Sequence, residues 1–178
     1  SKNLASIGDG SFATGTVTST VSNHTHFEVS EGTPESWGFN LVGRRQQIEP
    51  IPAGTYTFSL TRALPFDTKF QLRATDSGSS LIGTVDIAAG ATSVTFTLPE
   101  SASFMTFWST ASASSAVSFD IQIEAGSTAT SFAPYSKHAY PLDLSETVEL
   151  DMSQATRLDA YINGSGAIVS SEANALFS

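Results

Sequence analysis

Hydrophobic and polar residues alternate along most of this chain. In Thr55-Tyr56-Thr57-Phe58-Ser59-Leu60-Thr61 the Tyr, Phe and Leu fall on one face and the Thr and Ser on the other, which is the period of a half-buried β-strand. Ser93-Val94-Thr95-Phe96-Thr97-Leu98 repeats the pattern. So does Val117-Ser118-Phe119-Asp120-Ile121-Gln122-Ile123-Glu124, with Val117, Phe119, Ile121 and Ile123 expected inside. Lys69-Phe70-Gln71-Leu72-Arg73 is a fourth clear case, and weaker alternation marks residues 14–21, 25–29, 37–42, 80–87 and 103–109. Turn signals separate these segments. Pro50-Ile51-Pro52-Ala53-Gly54 stops the chain before Thr55, Asp76-Ser77-Gly78-Ser79 reads as a turn, and Ala88-Ala89-Gly90-Ala91 as a hairpin connection. The Ser/Ala run of residues 109–116 reads as a loop between two strands. About nine strands at this spacing, with no helical stretch, predict an all-β antiparallel sandwich of jelly-roll type.

The character changes after Glu124. Residues 125–140 read as loop, and residues 142–178 bring many carboxylates, one Arg and few aromatics. Strand-like pieces recur at Thr147-Val148-Glu149-Leu150-Asp151, Asp159-Ala160-Tyr161-Ile162 and Ala167-Ile168-Val169. A stretch so poor in aromatics buries little by itself. The expected division is a sandwich over residues 1–135, then a linker and short β-rich extension over 136–178 that packs on the sandwich, pairs with another copy, or opens a second domain. Ser1-Lys2-Asn3 resembles no signal peptide, and Ala175-Leu176-Phe177-Ser178 carries no stop signal, so a piece of a longer protein is expected.

Composition narrows the partners. The 178 residues hold no Cys, which removes disulfides, thiolate metal sites and cysteine nucleophiles. Eight Lys and Arg against 17 Asp and Glu leave a formal charge of −9, so neither a nucleic-acid backbone nor insertion into a membrane is expected. Charged residues are only 14% of the chain while Ser and Thr abound, a neutral polar surface of the kind displayed outside a cell.

The stretch Phe119-Asp120-Ile121-Gln122-Ile123-Glu124-Ala125-Gly126-Ser127-Thr128-Ala129-Thr130-Ser131-Phe132-Ala133-Pro134-Tyr135 resembles the closing strand and exit loop of jelly-roll modules in bacteriophage and prophage tail proteins, modules similar to carbohydrate-binding modules. Gln122, Glu124, Gly126, Ser127, Thr128, Ala129, Thr130, Phe132, Pro134 and Tyr135 carry the likeness. The opening Asn3-Leu4 and the run Pro52-Ala53-Gly54-Thr55-Tyr56-Thr57-Phe58-Ser59 fit it too, so it covers roughly residues 3–135. Residues 156–169 and 174–178 look like the first strands of a second such module. The resemblance implies a virion tail or cell-surface location, host-surface glycan and other tail or baseplate proteins as partners, and a homotrimer with residues 142–169 at its contacts. It also implies a structural calcium near the chain ends, for which Asp9 and Glu124 are the candidates. No other cofactor is expected. Within the exit phrase Glu124 and Gln122 are expected on the polar face, Gly126 at a sharp turn, and Phe132 with Tyr135 pinning the loop to the core edge.

Catalytic patterns are absent: no G-x-S-x-G, no P-loop, no dinucleotide-binding glycines. Asp120 and Glu124 sit about 13 Å apart along one strand, at ~3.3 Å per residue, wider than the carboxylate pairs of glycosidases. No enzyme is expected. His24-x-His26 puts two imidazoles on one side of a strand, a zinc-compatible spacing without an evident third ligand. The sugar-binding reading uses the outward faces of two strands, Lys69, Gln71 and Arg73 on one and Ser118, Asp120, Gln122 and Glu124 on the other, provided both lie in one sheet. Trp37 and Trp108 are the stacking candidates. Trp108 shares its face with Phe104 and Thr106, and Trp37 with Phe39 and Leu41, positions that more often build core.

Three functions follow in order: a non-catalytic tail module that adsorbs to host glycan through weak contacts multiplied by copy number; a purely structural spacer or docking module, which requires Trp37 and Trp108 buried; and an ancillary module of a secreted bacterial hydrolase.

Overall fold

A computed structural model describes residues 3–111, 113, 115–136, 160–162 and 168–170. The chain divides into two compact units, Ser1–Lys137 and His138–Ser178. The first is all-β and antiparallel, with no helix among the described residues. Its strands are β1 (Gly10–Thr14), β2 (Val17–Ser22), β3 (His26–Val29), β4 (Phe39–Asn40), β5 (Gln46–Ile51), β6 (Gly54–Leu60), β7 (Thr68–Arg73), β8 (Leu81–Ile87), β9 (Ser93–Leu98), β10 (Ala102–Ser109) and β11 (Val117–Ala125). One sheet runs β1-β2-β3-β11-β6-β9; the other runs β4-β10-β7-β8, with β5 also pairing β10. In the second unit β12 (Ala160–Ile162) pairs β13 (Ile168–Ser170) in an antiparallel hairpin. The strand expected at 147–151 lies outside the described residues.

The clear alternations hold because each strand has one dry face. Phe70 and Leu72 of β7 and Met105 and Phe107 of β10 are fully buried, as are Phe27, Phe58, Phe119, Ile121 and Ile123 of the opposite sheet. Aromatic rings join the two layers. Phe27 meets Phe107 edge-on at 5.8 Å and lies parallel to Phe119 at 5.1 Å, and Phe58 contacts Phe70 at 4.8 Å. Such pairs add about 0.5–1.5 kcal/mol each beyond their buried area.

Three segments depart from expectation. Residues 14–21 are not one strand but the β1–β2 hairpin, paired from Gly10↔Val21 to Thr14↔Val17. Residues 37–42 form only the short β4. The Pro50 segment does not simply stop the chain: β5 passes through Pro50, with a register shift against β10 between Ala102 and Phe104. An edge strand tolerates a proline that a central one cannot, since the missing N–H faces no neighbour.

Gln122 and Glu124 were expected on a polar outer face, and the structure overturns this. They are 1% and 4% exposed. The exit loop folds back over this part of β11 and takes their polar groups. Gln122 Nε2 donates to Glu124 Oε1 at 2.7 Å, and the Thr130 backbone N–H and hydroxyl donate to the two Glu124 oxygens at 2.8 and 2.7 Å. The Ala133 N–H donates to Gln122 Oε1 at 2.8 Å. Gly126, at φ +103, makes the turn that starts this return. Asn3, fully buried, closes the lock. Its amide donates to the carbonyls of Ile121 and Ala133, and its oxygen accepts from the N–H groups of Ala5 and Ile123. Phe132 is not the expected pin, being 38% exposed. Tyr135 meets the His24 ring edge-on at 5.1 Å, and burial, reinforced by the facing Glu49 carboxylate, pushes its phenol up to about 12.

Each Asn3 partner would lose a buried hydrogen bond in Asn3→Ala, at ~1–3 kcal/mol per orphaned group where water cannot enter. A loss of about 2–4 kcal/mol in denaturant unfolding is expected, with Glu124→Ala comparably costly; a change below ~0.5 kcal/mol for both would show the lock to be dispensable. Tyr135 gives a pH signature. A phenol raised from 10 toward 12 contributes stability that is complete below pH 10 and lost as pH rises through 12. Tyr135→Phe should therefore flatten the fall in thermal stability over that window.

Candidate functional site

The outer face of the smaller sheet is built by two strands whose inward residues are large and apolar. With Phe70 and Leu72 pointing in, Lys69, Gln71 and Arg73 of β7 point out. With Met105 and Phe107 in, Phe104, Thr106 and Trp108 of β10 point out. The register sets Trp108 opposite Lys69 and Asn40, Thr106 opposite Gln71, and Phe104 opposite Arg73. Trp108 is therefore not core: the neighbouring positions in β10 had first claim on the interior.

Trp37 is also outside, and half exposed at 50%. It does not continue the face of Phe39 and Leu41, which are fully buried. A tight turn intervenes, closed by the Gly38 N–H donating to the Glu35 carbonyl at 3.0 Å. Gly38 has φ +112, and a Cβ there would stand 1.9 Å from the Ser109 carbonyl oxygen. Only glycine permits this close approach of the turn to β10.

Trp37, Asn40, Arg44, Arg45, Gln71, Arg73, Thr106 and Trp108 together line a cleft of about 550 Å³, within the usual range for small-molecule sites. Of the residues singled out from sequence, it gathers Trp37, Trp108, Gln71 and Arg73. Asn40 and Thr106 lie in strand-like segments but carried no separate sequence signal for a site, and Arg44 and Arg45 lie in residues 43–46, which follow no strand pattern. Arg45 has a left-handed backbone, φ +56, a conformation that costs a non-glycine residue about 1–3 kcal/mol. The Arg45 N–H donates to Thr106 Oγ1 at 3.2 Å, which seats the Arg44–Arg45 turn at the sheet face. Its guanidinium donates to the Asp76 carbonyl and lies 3.7 Å from that residue's carboxylate. Arg73 donates to the Gly78 carbonyl at 2.9 Å and to Gln71 Oε1 at 3.0 Å.

The other sequence candidates lie elsewhere. Lys69 pairs with Asp86 at 2.9 Å and lines a separate depression of about 370 Å³ with Asp67, Thr68 and Thr110. Asp120 and Gln122 belong to β11 in the larger sheet, so the two polar strand faces do not form one surface. Gln122 serves the lock. Asp120 Oδ1 is 3.1 Å from His26 Nδ1, and His26 Nε2 is 3.4 Å from Ser118 Oγ. This hydroxyl–imidazole–carboxylate order is that of a nucleophilic relay. It lies on the outer face of the larger sheet, with Glu28 also 3.9 Å from the imidazole, and ties β3 to β11 outside the cleft.

His24 is not on a strand beside His26 but in the turn before β3, at φ +65, with its Nδ1 2.8 Å from the Ile7 carbonyl. Asp9 accepts the His24 N–H at 2.9 Å, and both Glu124 oxygens receive hydrogen-bond donors. At Glu124 those donors take up the oxygen lone pairs that a calcium ion would need. Among the described residues no group of three or more His, Asp or Glu could hold a metal ion.

No family model matches this chain, and no curated protein does. Among solved structures it is similar to a carbohydrate-binding module of Cellvibrio mixtus lichenase 5A, determined in complex with cellotriose. That likeness is 18% in sequence identity with a TM-score of 0.30, and it covers 70% of this chain and 95% of that one.

Proposed function

We propose that this chain is a non-catalytic module that binds carbohydrate in the Trp37–Trp108 cleft. The observation that carries the reading is the half-exposed Trp37 lining one cleft with Trp108 and the planar polar groups of Asn40 and of the hydrogen-bonded Gln71 and Arg73. Indole faces cover the apolar faces of sugar rings, while amides and guanidinium groups reach hydroxyls in defined directions. A spacer module gains nothing from an exposed tryptophan presented by a turn that only glycine can make. The resemblance of the exit phrase to tail-protein jelly rolls supports host-surface glycan as the target and a phage or prophage tail as the setting. In that setting many weak sites act together, in a trimer or alongside other tail proteins. An ancillary module of a secreted hydrolase would use the same cleft, and a hydrolase domain in the full-length protein would favour it.

Both tryptophans of the chain line the cleft, so intrinsic fluorescence reports on this site alone. A panel of cell-surface oligosaccharides and bacterial wall polysaccharides should produce saturable quenching or a blue shift. Trp37→Ala should weaken binding about five- to tenfold, the ~1 kcal/mol of one lost aromatic face. Saturable binding that ignores both Trp37→Ala and Trp108→Ala would refute the cleft as the site. Gly38→Ala, by driving a Cβ against the Ser109 carbonyl, should lose binding along with some thermal stability.

A further inference from the structure

The cleft reverses the charge of the molecule around it. The chain carries 17 Asp and Glu against eight Lys and Arg, yet three arginines line this one cleft and no carboxylate does. Arg45 is partly answered by Asp76. Arg44 is exposed at the rim and forms no ion pair among the described residues. Arg73 is held from two sides by Gly78 and Gln71 and has no carboxylate partner among them either. Its Nε is buried without a hydrogen-bond partner. A buried donor left unanswered is costly, and a guanidinium immobilised in this way is pre-organised for a planar or tetrahedral oxyanion.

Resting on the reading of this cleft as a carbohydrate site, we propose that its ligand is an anionic saccharide, one that sets a carboxylate, sulfate or phosphate group against Arg44 and Arg73 while a sugar ring lies on the tryptophans. A long polyanion is disfavoured. A formal charge of −9 repels it beyond the cleft, and the Asp76 carboxylate stands beside Arg45. One acid-bearing sugar gains the local arginines without meeting that field, since exposed charges more than about 10 Å away are screened at moderate salt.

The test is a tryptophan-fluorescence titration of the whole chain against matched oligosaccharides of equal length. The pairs are glucuronate against glucose and galacturonate against galactose, with sulfated and phosphorylated counterparts as further arms and oligothymidylate as a polyanion without a sugar-acid face. In at least one pair the acid-bearing member should bind about tenfold or more tightly, and the advantage should shrink as salt rises from low to about 0.5 M. The arm that responds identifies the acid. Arg44→Gln, at an exposed position where folding is undisturbed, should bring that pair toward parity. Arg73→Gln should do the same, while Arg62→Gln, which removes an equal charge outside the cleft, should leave the ratio intact. Parity in every pair with binding still lost in Trp37→Ala overturns the anionic ligand and spares the carbohydrate reading. Absence of binding by every saccharide overturns both. Oligothymidylate binding more tightly than every saccharide overturns the proposal in favour of nucleic acid.

Discussion

Glu124 lies inside the protein, and a buried carboxylate must be met by donors or it is not tolerated. Much of the first unit's architecture follows from meeting that need. Gln122 supplies one donor from its own strand, and Thr130 supplies two from the exit loop. To deliver them the chain turns at Gly126 and lies back across β11. That in turn brings the Ala133 carbonyl and N–H within reach of Asn3 and Gln122. Asn3, the last central strand and the exit loop thus share one buried polar network. Such a network is specific because each member has only one arrangement that satisfies the rest.

With that end closed, the aromatic interior decides what the outside can be. Phe70, Phe107, Phe27, Phe58 and Phe119 fill the space between the sheets. Period-two geometry then leaves no choice for their strand neighbours. Gln71, Arg73, Thr106 and Trp108 become the outer face of the smaller sheet as a consequence of packing on the inner one. Two tight turns complete the surface, one presenting Trp37 at Gly38, which only glycine can make, and one presenting Arg44 at the left-handed Arg45. The cleft is therefore a rigid floor with two walls whose backbone conformations are held by hydrogen bonds. Rigid aromatic and guanidinium groups lose little entropy when a ligand arrives.

Charge works on two scales. Over the whole molecule it is strongly negative, which disfavours extended polyanions. Within the cleft the sign is opposite, because Arg44, Arg45 and Arg73 line it with no carboxylate and only Arg45 is met by an acid, Asp76, beside it. The global value could not reveal this, since a sum over the sequence has no position in it.

Alternation alone made the all-β class, the strong strands β6, β7, β9 and β11, and the inward set of phenylalanines legible. It also marked Gln71 and Arg73 as outward residues able to meet a sugar, with Trp37 and Trp108 as stacking candidates on faces that more often build core. It could not say which strands become neighbours, so Asp120 and Gln122 were grouped with Arg73 although β11 and β7 lie in different sheets. It could not foresee that a loop would cover the outer face of β11, and so it read the buried Gln122 and Glu124 as exposed. Trp108 shows the converse: it reads with Phe104 and Thr106 as more often core, and the packing of Met105 and Phe107 on the other face of β10 puts it outside. Local period fixes which residues of one strand share a face, because it is a property of the backbone. Which faces meet, which are covered, and where Arg44 and Arg45 stand depend on contacts between residues far apart in the chain, and those exist only once the sheets have closed on each other.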